Sequence, residues 1–183
     1  MKLLLTIALL LTFSPLPAEG QGQKRLELPT DFSKRSPPPI SAEARRDMEV
    51  KLSEARARSD AEPNNPDTLI WVGRRLGYLG RFTEAIEVYS SGIGKFPRDA
   101  RFYRHRGHRY ITLRKFDLAI ADFQKAVSLI KGVPDEVEPD GQPNARNQPI
   151  GTLHSNVWYH LALAHYLKGN FEDAARCWQK SLE

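Results

Sequence analysis

Cysteine is almost missing from this sequence: Cys177 is the one thiol in 183 residues. No disulfide can form within the chain, so stability has to come from packing. In a helical stretch, that thiol reads as a small buried apolar residue. Long apolar runs are missing too. Leu3–Phe13 is interrupted by Thr6 and Thr12 and stops well short of the ~20 residues that cross a bilayer. There is no Gly-x-Ser-x-Gly elbow, P-loop or His-Glu-x-x-His. Zinc takes three or four ligands, whereas His105–His108 and His160–His165 offer only pairs, the first of them beside Arg104 and Arg106. The acidic group Asp135, Glu136, Glu138 and Asp140 lacks the spacing of a calcium loop. Catalytic residues, metals and cofactors are therefore not expected, and the chain reads as a non-enzyme.

What is present begins with a leader. Met1-Lys2 gives a positive start, the apolar run follows, Pro15 and Pro17 end it, and Ala18-Glu19-Gly20 supplies the small residues a signal peptidase reads. Residues 1–20 are thus expected to be a signal peptide cleaved near Gly20, with an exported product, periplasmic or secreted, and no stable membrane insertion afterwards. The net charge is +5, and losing Lys2 and Glu19 together leaves it unchanged. Outside the cytoplasm such a balance suits an anionic peptide, polymer or surface rather than nucleic acid. Residues 21–40 form a linker with Pro29 and the triplet Pro37-Pro38-Pro39, which favours extended polyproline II.

A helix is expected within 41–65. Ser41 is a good N-cap, and Ala44, Met48, Leu52 and Ala55 make a thin apolar stripe that needs a neighbour. Pro63 ends it. A repeat then takes over. Gly73, Phe82, Ala85, Tyr89 and Gly92 recur 34 residues later as Gly107, Phe116, Ala119, Phe123 and Ala126. A third copy, displaced by an insertion, carries Phe171, Ala174, Trp178 and Ser181. Two antiparallel helices per copy explain the order. Gly73, Gly107 and Ala162, with Ala85, Ala119 and Ala174, would let the backbones approach. Phe82, Phe116 and Phe171 would close the open end of each pair. Tyr89, Phe123 and Trp178 would fill the gap to the next pair, so neighbouring pairs must stack.

On these residues, and with Pro97 ending the first copy, the chain from about Pro66 onward resembles the tetratricopeptide repeat family. The resemblance implies an all-α, right-handed solenoid of antiparallel helix pairs, with about three repeats after a preceding helix. The repeats fall at 66–99, 100–131 and 152–183, and the leading helix of 41–65 is a degenerate half-repeat. Three positions depart from the pattern: Lys131 in place of a closing proline, His165 in place of an apolar residue, and Arg58 in place of a small one. The insertion at 132–151 holds four prolines and no helical period, and reads as a surface loop packed over the groove or a neighbouring repeat. Its acidic residues are suited to pair with the basic repeat beside it.

In this family the first helices line a concave groove. That implies a partner-binding set of Arg74 and Tyr78, then Arg101, Arg104 and His108, then Asn156 and Tyr159. Arg101, Arg104 and His108 lie three and four apart, so they share a helix face. Arginine takes carboxylates bidentately, so a protein or peptide partner, acidic in character, is the expected ligand. The alternative is an assembly module that self-associates through Trp178 and Leu182, or continues into further repeats.

Overall fold

The computed structural model describes residues 40–138, 145–146 and 151–182. The leader and nearly all of the linker expected from the sequence lie outside them. Among the described residues there are seven helices: α1 (Ala42–Ala61), α2 (Pro66–Tyr78), α3 (Phe82–Lys95), α4 (Ala100–Thr112), α5 (Phe116–Ile130), α6 (Leu153–Lys168) and α7 (Phe171–Ser181). Each packs on the next, so the chain is the all-helical solenoid that the repeat pattern implies. None of these helices is long and apolar enough to cross a membrane.

The helix starts are chemically marked. The Oγ of Ser41 accepts the Ala44 N–H at 3.1 Å, Oδ1 of Asn65 accepts that of Asp67 at 3.0 Å, and Oδ1 of Asp99 accepts that of Arg101 at 3.0 Å. Thr152 and Ser155 exchange bonds in a capping box at the head of α6. The turns inside the pairs share one backbone solution. Gly80, Arg114 and Gly169 stand at the same repeat position, and all have positive φ (76°, 57° and 91°). Arg114 is the one side chain asked to adopt the left-handed conformation there, among the described residues.

Packing refines the expected role of the small residues. Ala85, Ala119, Ala162 and Ala174 are fully buried. Gly73 and Gly107, however, are ring seats rather than points of backbone approach. A methyl group at Gly73 would lie 2.3 Å from Cε1 of Tyr89, and one at Gly107 would lie 2.9 Å from Cζ of Phe123. Gly92 seats Phe102 of the following helix in the same way, at 2.2 Å. The outer side of each ring meets the next pair: Tyr89 stacks on His105 with centroids 5.5 Å apart, and Phe123 on His160 at 5.9 Å. Trp178 behaves differently, turning toward Tyr166 within its own pair. Phe171 does not close its pair. It is 64% exposed and touches Tyr166 edge-on, and among the described residues no helix covers that side. Leu52 anchors α1 to the α2–α3 core, with Met48 and Ala55 packed beside it.

One ion pair ties the second repeat together. Arg106 on α4 donates from Nε and Nη2 to the two oxygens of Asp122 on α5, at 2.8 and 2.7 Å, and from Nη1 to Ser90 on α3. Asp122 is buried. The fork geometry is the strong form of this interaction.

Candidate functional site

Helix α2 touches α4, and α4 touches α6, whereas α3, α5 and α7 do not touch one another. The first helix of each pair therefore lies on the inner, concave side. Every groove residue expected from the sequence sits on α2, α4 or α6.

Their surroundings differ from a row of free cations. On α2, Arg74 lies 4.1 Å from the centroid of Trp71 and donates to the Tyr78 hydroxyl at 3.3 Å. Tyr78 and, on α6, Tyr159 are each about half exposed. Arg101 is committed to two carboxylates: Asp99 holds its Nε and Nη2, and Asp67 on α2 takes Nη1 at 2.6 Å. The hydrogen bonds to Asp99, ahead of those to Asp67, hold its pKa above the ordinary arginine value.

Arg104 is the centre of the arrangement. Its side chain is only 14% exposed, and Nη2 reaches Oε1 of Glu138 at 2.5 Å. Asn156 donates Nδ2 to the other oxygen, Oε2, at 2.6 Å. Glu138 arrives from the insertion loop, where its N–H bonds to the Gly151 carbonyl and Val137 pairs with Thr152 in an isolated antiparallel bridge. Burial pulls the Arg104 guanidinium below its usual pKa, and the charge of Glu138 opposes that shift. The Nε of Arg104 is buried with no hydrogen-bond partner among the described residues.

Imidazoles floor this face. Arginine has donors only, so Nε2 of His105 must accept from Arg104 at 3.1 Å, and Nδ1 of His108 from Arg109 at 2.9 Å. His160 is oriented the other way, donating Nδ1–H to the Asn156 carbonyl at 2.7 Å. His108 and His160 lie 4.7 Å apart, ring to ring. All three are held neutral. Burial lowers each pKa first. The charge of Arg104 comes next at His105, and the neighbouring His160 comes next at His108, which falls to about 3. The histidines thus pack and orient rather than ligate, and no cluster of three or more metal-binding side chains occurs among the described residues.

Sequence profiles of the tetratricopeptide repeat match residues 73–135 and 155–183. The chain belongs to the tetratricopeptide repeat family. Human tetratricopeptide repeat protein 13 is 28% identical over 132 residues, which is 72% of this chain but 14% of that protein. Among solved structures, MamA superposes with a TM-score of 0.56 at 18% identity, over 76% of this chain and 70% of its own. The first repeat domain of Spaghetti (RPAP3), solved with the HSP90 peptide SRMEEVD, gives 0.51 at 20% identity, over 64% of this chain and 76% of its own.

Two features of the concave side escaped the sequence reading. Asp67 stands 34 residues before Arg101, so the repeat spacing itself signals that pair. Trp71, His105 and His160 share one repeat position, which marks them as a packing register rather than as solvated side chains.

Proposed function

We propose that this chain is a non-catalytic protein-interaction module whose concave face holds an extended, acidic segment of a partner. The observation that carries this reading is the pair of half-exposed tyrosines, Tyr78 and Tyr159, at opposite ends of an inner face that carries Arg74 on α2 and the Arg104–Glu138 pair at α4. Half-exposed aromatics beside arginines are the side chains that anchor partners most often. The RPAP3 domain of the same fold carries an acidic HSP90 peptide, which supports the same ligand class here. An array of acidic, neutral and basic peptides probed with labelled protein tests it. The acidic members should be retained, with at least a ten-fold loss for Tyr78→Ala/Tyr159→Ala. Retention that ignores both charge and the double substitution would remove this face from consideration.

The reading also includes export, on the strength of the leader-like residues 1–20. A mature N-terminus near Gln21, recovered outside the cytoplasm, is the expected result. The exposed side chains of Phe171 and Leu182 favour a second reading, self-assembly through α7. Sedimentation separates the two, since a strict monomer at high concentration speaks for the groove alone.

A further inference from the structure

We propose that Arg104 and Asn156 form a carboxylate pocket that Glu138 fills in cis, and that a partner enters by putting an internal acidic side chain in its place. The inference rests on the concave-face reading above. Both Glu138 oxygens are taken, one by Arg104 and one by Asn156, and its side chain is only 15% exposed. The chain around it is extended, with the Glu138 N–H on the Gly151 carbonyl at 2.9 Å and Val137 bridged to Thr152. The pocket therefore receives the side chain of a passing segment and does not require a free chain end.

The present occupant uses the pocket incompletely. Arg104 gives Glu138 a single donor, Nη2, which it also shares with His105, while Nε lies buried and unpaired. An arginine fork binds best when two parallel N–H groups meet both oxygens of one carboxylate. Glu138 splits its oxygens between Arg104 and Asn156. A carboxylate from a segment not tethered by the Val137 bridge is free to meet Nε and Nη2 together. Removing the anion altogether is unfavourable, because a buried cation would be left alone. Glu138 keeps Arg104 paired until the exchange, and its occupancy scales the apparent affinity of every ligand down by the fraction of molecules whose pocket is open.

The probe is a fluorescein-labelled, C-terminally amidated peptide of sequence Val133–Glu138, used with full-length protein. Titration should show at least ten-fold tighter binding to E138Q than to wild type. A peptide with Gln at the position of Glu138, its Asp135 and Glu136 kept, should lose that affinity, as should Arg104→Gln placed on E138Q. Equal affinity for wild type and E138Q, with Tyr78→Ala/Tyr159→Ala still weakening both, overturns the occupancy by Glu138 and leaves the concave face standing. Binding to neither protein also overturns it, and the peptide array then decides the concave face separately. Hydrogen exchange on wild type covers a misfolded E138Q. Saturating peptide should release the protected Glu138 amide, and unchanged protection in the bound state refutes displacement.

Discussion

The ring seats make a quantitative prediction about substitutions that differ by one methyl group. At Gly73, an alanine Cβ would stand 2.3, 2.4 and 2.9 Å from Cε1, Cζ and Oη of Tyr89. The ring cannot retreat. It is 1% exposed, and His105 lies against it on the side of the next pair. Overpacking a filled core costs ~1–3 kcal/mol, and so large an overlap belongs at the upper end. Replacing glycine by alanine inside a helix returns about 1 kcal/mol. Gly73→Ala should therefore destabilise by roughly 2 kcal/mol. Gly107→Ala meets Phe123 at 2.9, 3.0 and 3.2 Å, a smaller overlap with a ring that is likewise buried and backed by His160. Its net cost should fall between the other two, at about 1 kcal/mol. Gly94 faces open space, so Gly94→Ala keeps only the gain, up to about 1 kcal/mol near the end of α3. Urea unfolding of the three variants gives the order directly. Tyr89→Leu in the Gly73→Ala background should recover part of the loss, because the clashing ring is gone. If Gly73→Ala is as stable as Gly94→Ala, the seats do not constrain the rings and the packing argument fails.

Asp122→Ala should cost about 3 kcal/mol, since it strands a largely buried guanidinium, while R106M/D122L should return to within about 1 kcal/mol of wild type; a double-mutant cycle by chemical denaturation checks both. Stability should also fall on acidification from about pH 6.5 toward pH 3. His108, with His105 and His160 in the same sense, is held below its unfolded pKa, so the unfolded chain binds the extra protons in that window and the full stability is present only above it. Each such proton contributes a slope of about 1.4 kcal/mol per pH unit. H108Q/H160Q should flatten the thermal-melt profile across that range, and an unchanged profile would place the sensitivity elsewhere.

The fold was legible because packing in this chain is periodic. Phe82, Ala85 and Tyr89 return as Phe116, Ala119 and Phe123 at one spacing, and that spacing requires stacked helix pairs whatever the surface carries. The candidate site was legible in its membership but not in its wiring. Arg101, Arg104 and Asn156 were recognisable as first-helix residues, yet each is bonded within the chain. The carboxylate that links Arg104 to Asn156 comes from a loop without period, where nothing distinguishes Glu138 from Asp135 or Glu136 until the backbone is placed. Glycine as a ring socket was hidden for a related reason. Sequence shows that a residue is small, but not whether a backbone or a side chain fills the space beside it.

The Tyr89–His105 and Phe123–His160 stacks give the solenoid its joints. Within a pair, the ring is seated in the opposite helix; between pairs, it rests on an imidazole that has to stay uncharged. Protonation would therefore load the joints first, and because a single pair cannot bury its own rings, the loss of one joint is felt by the units on both sides of it.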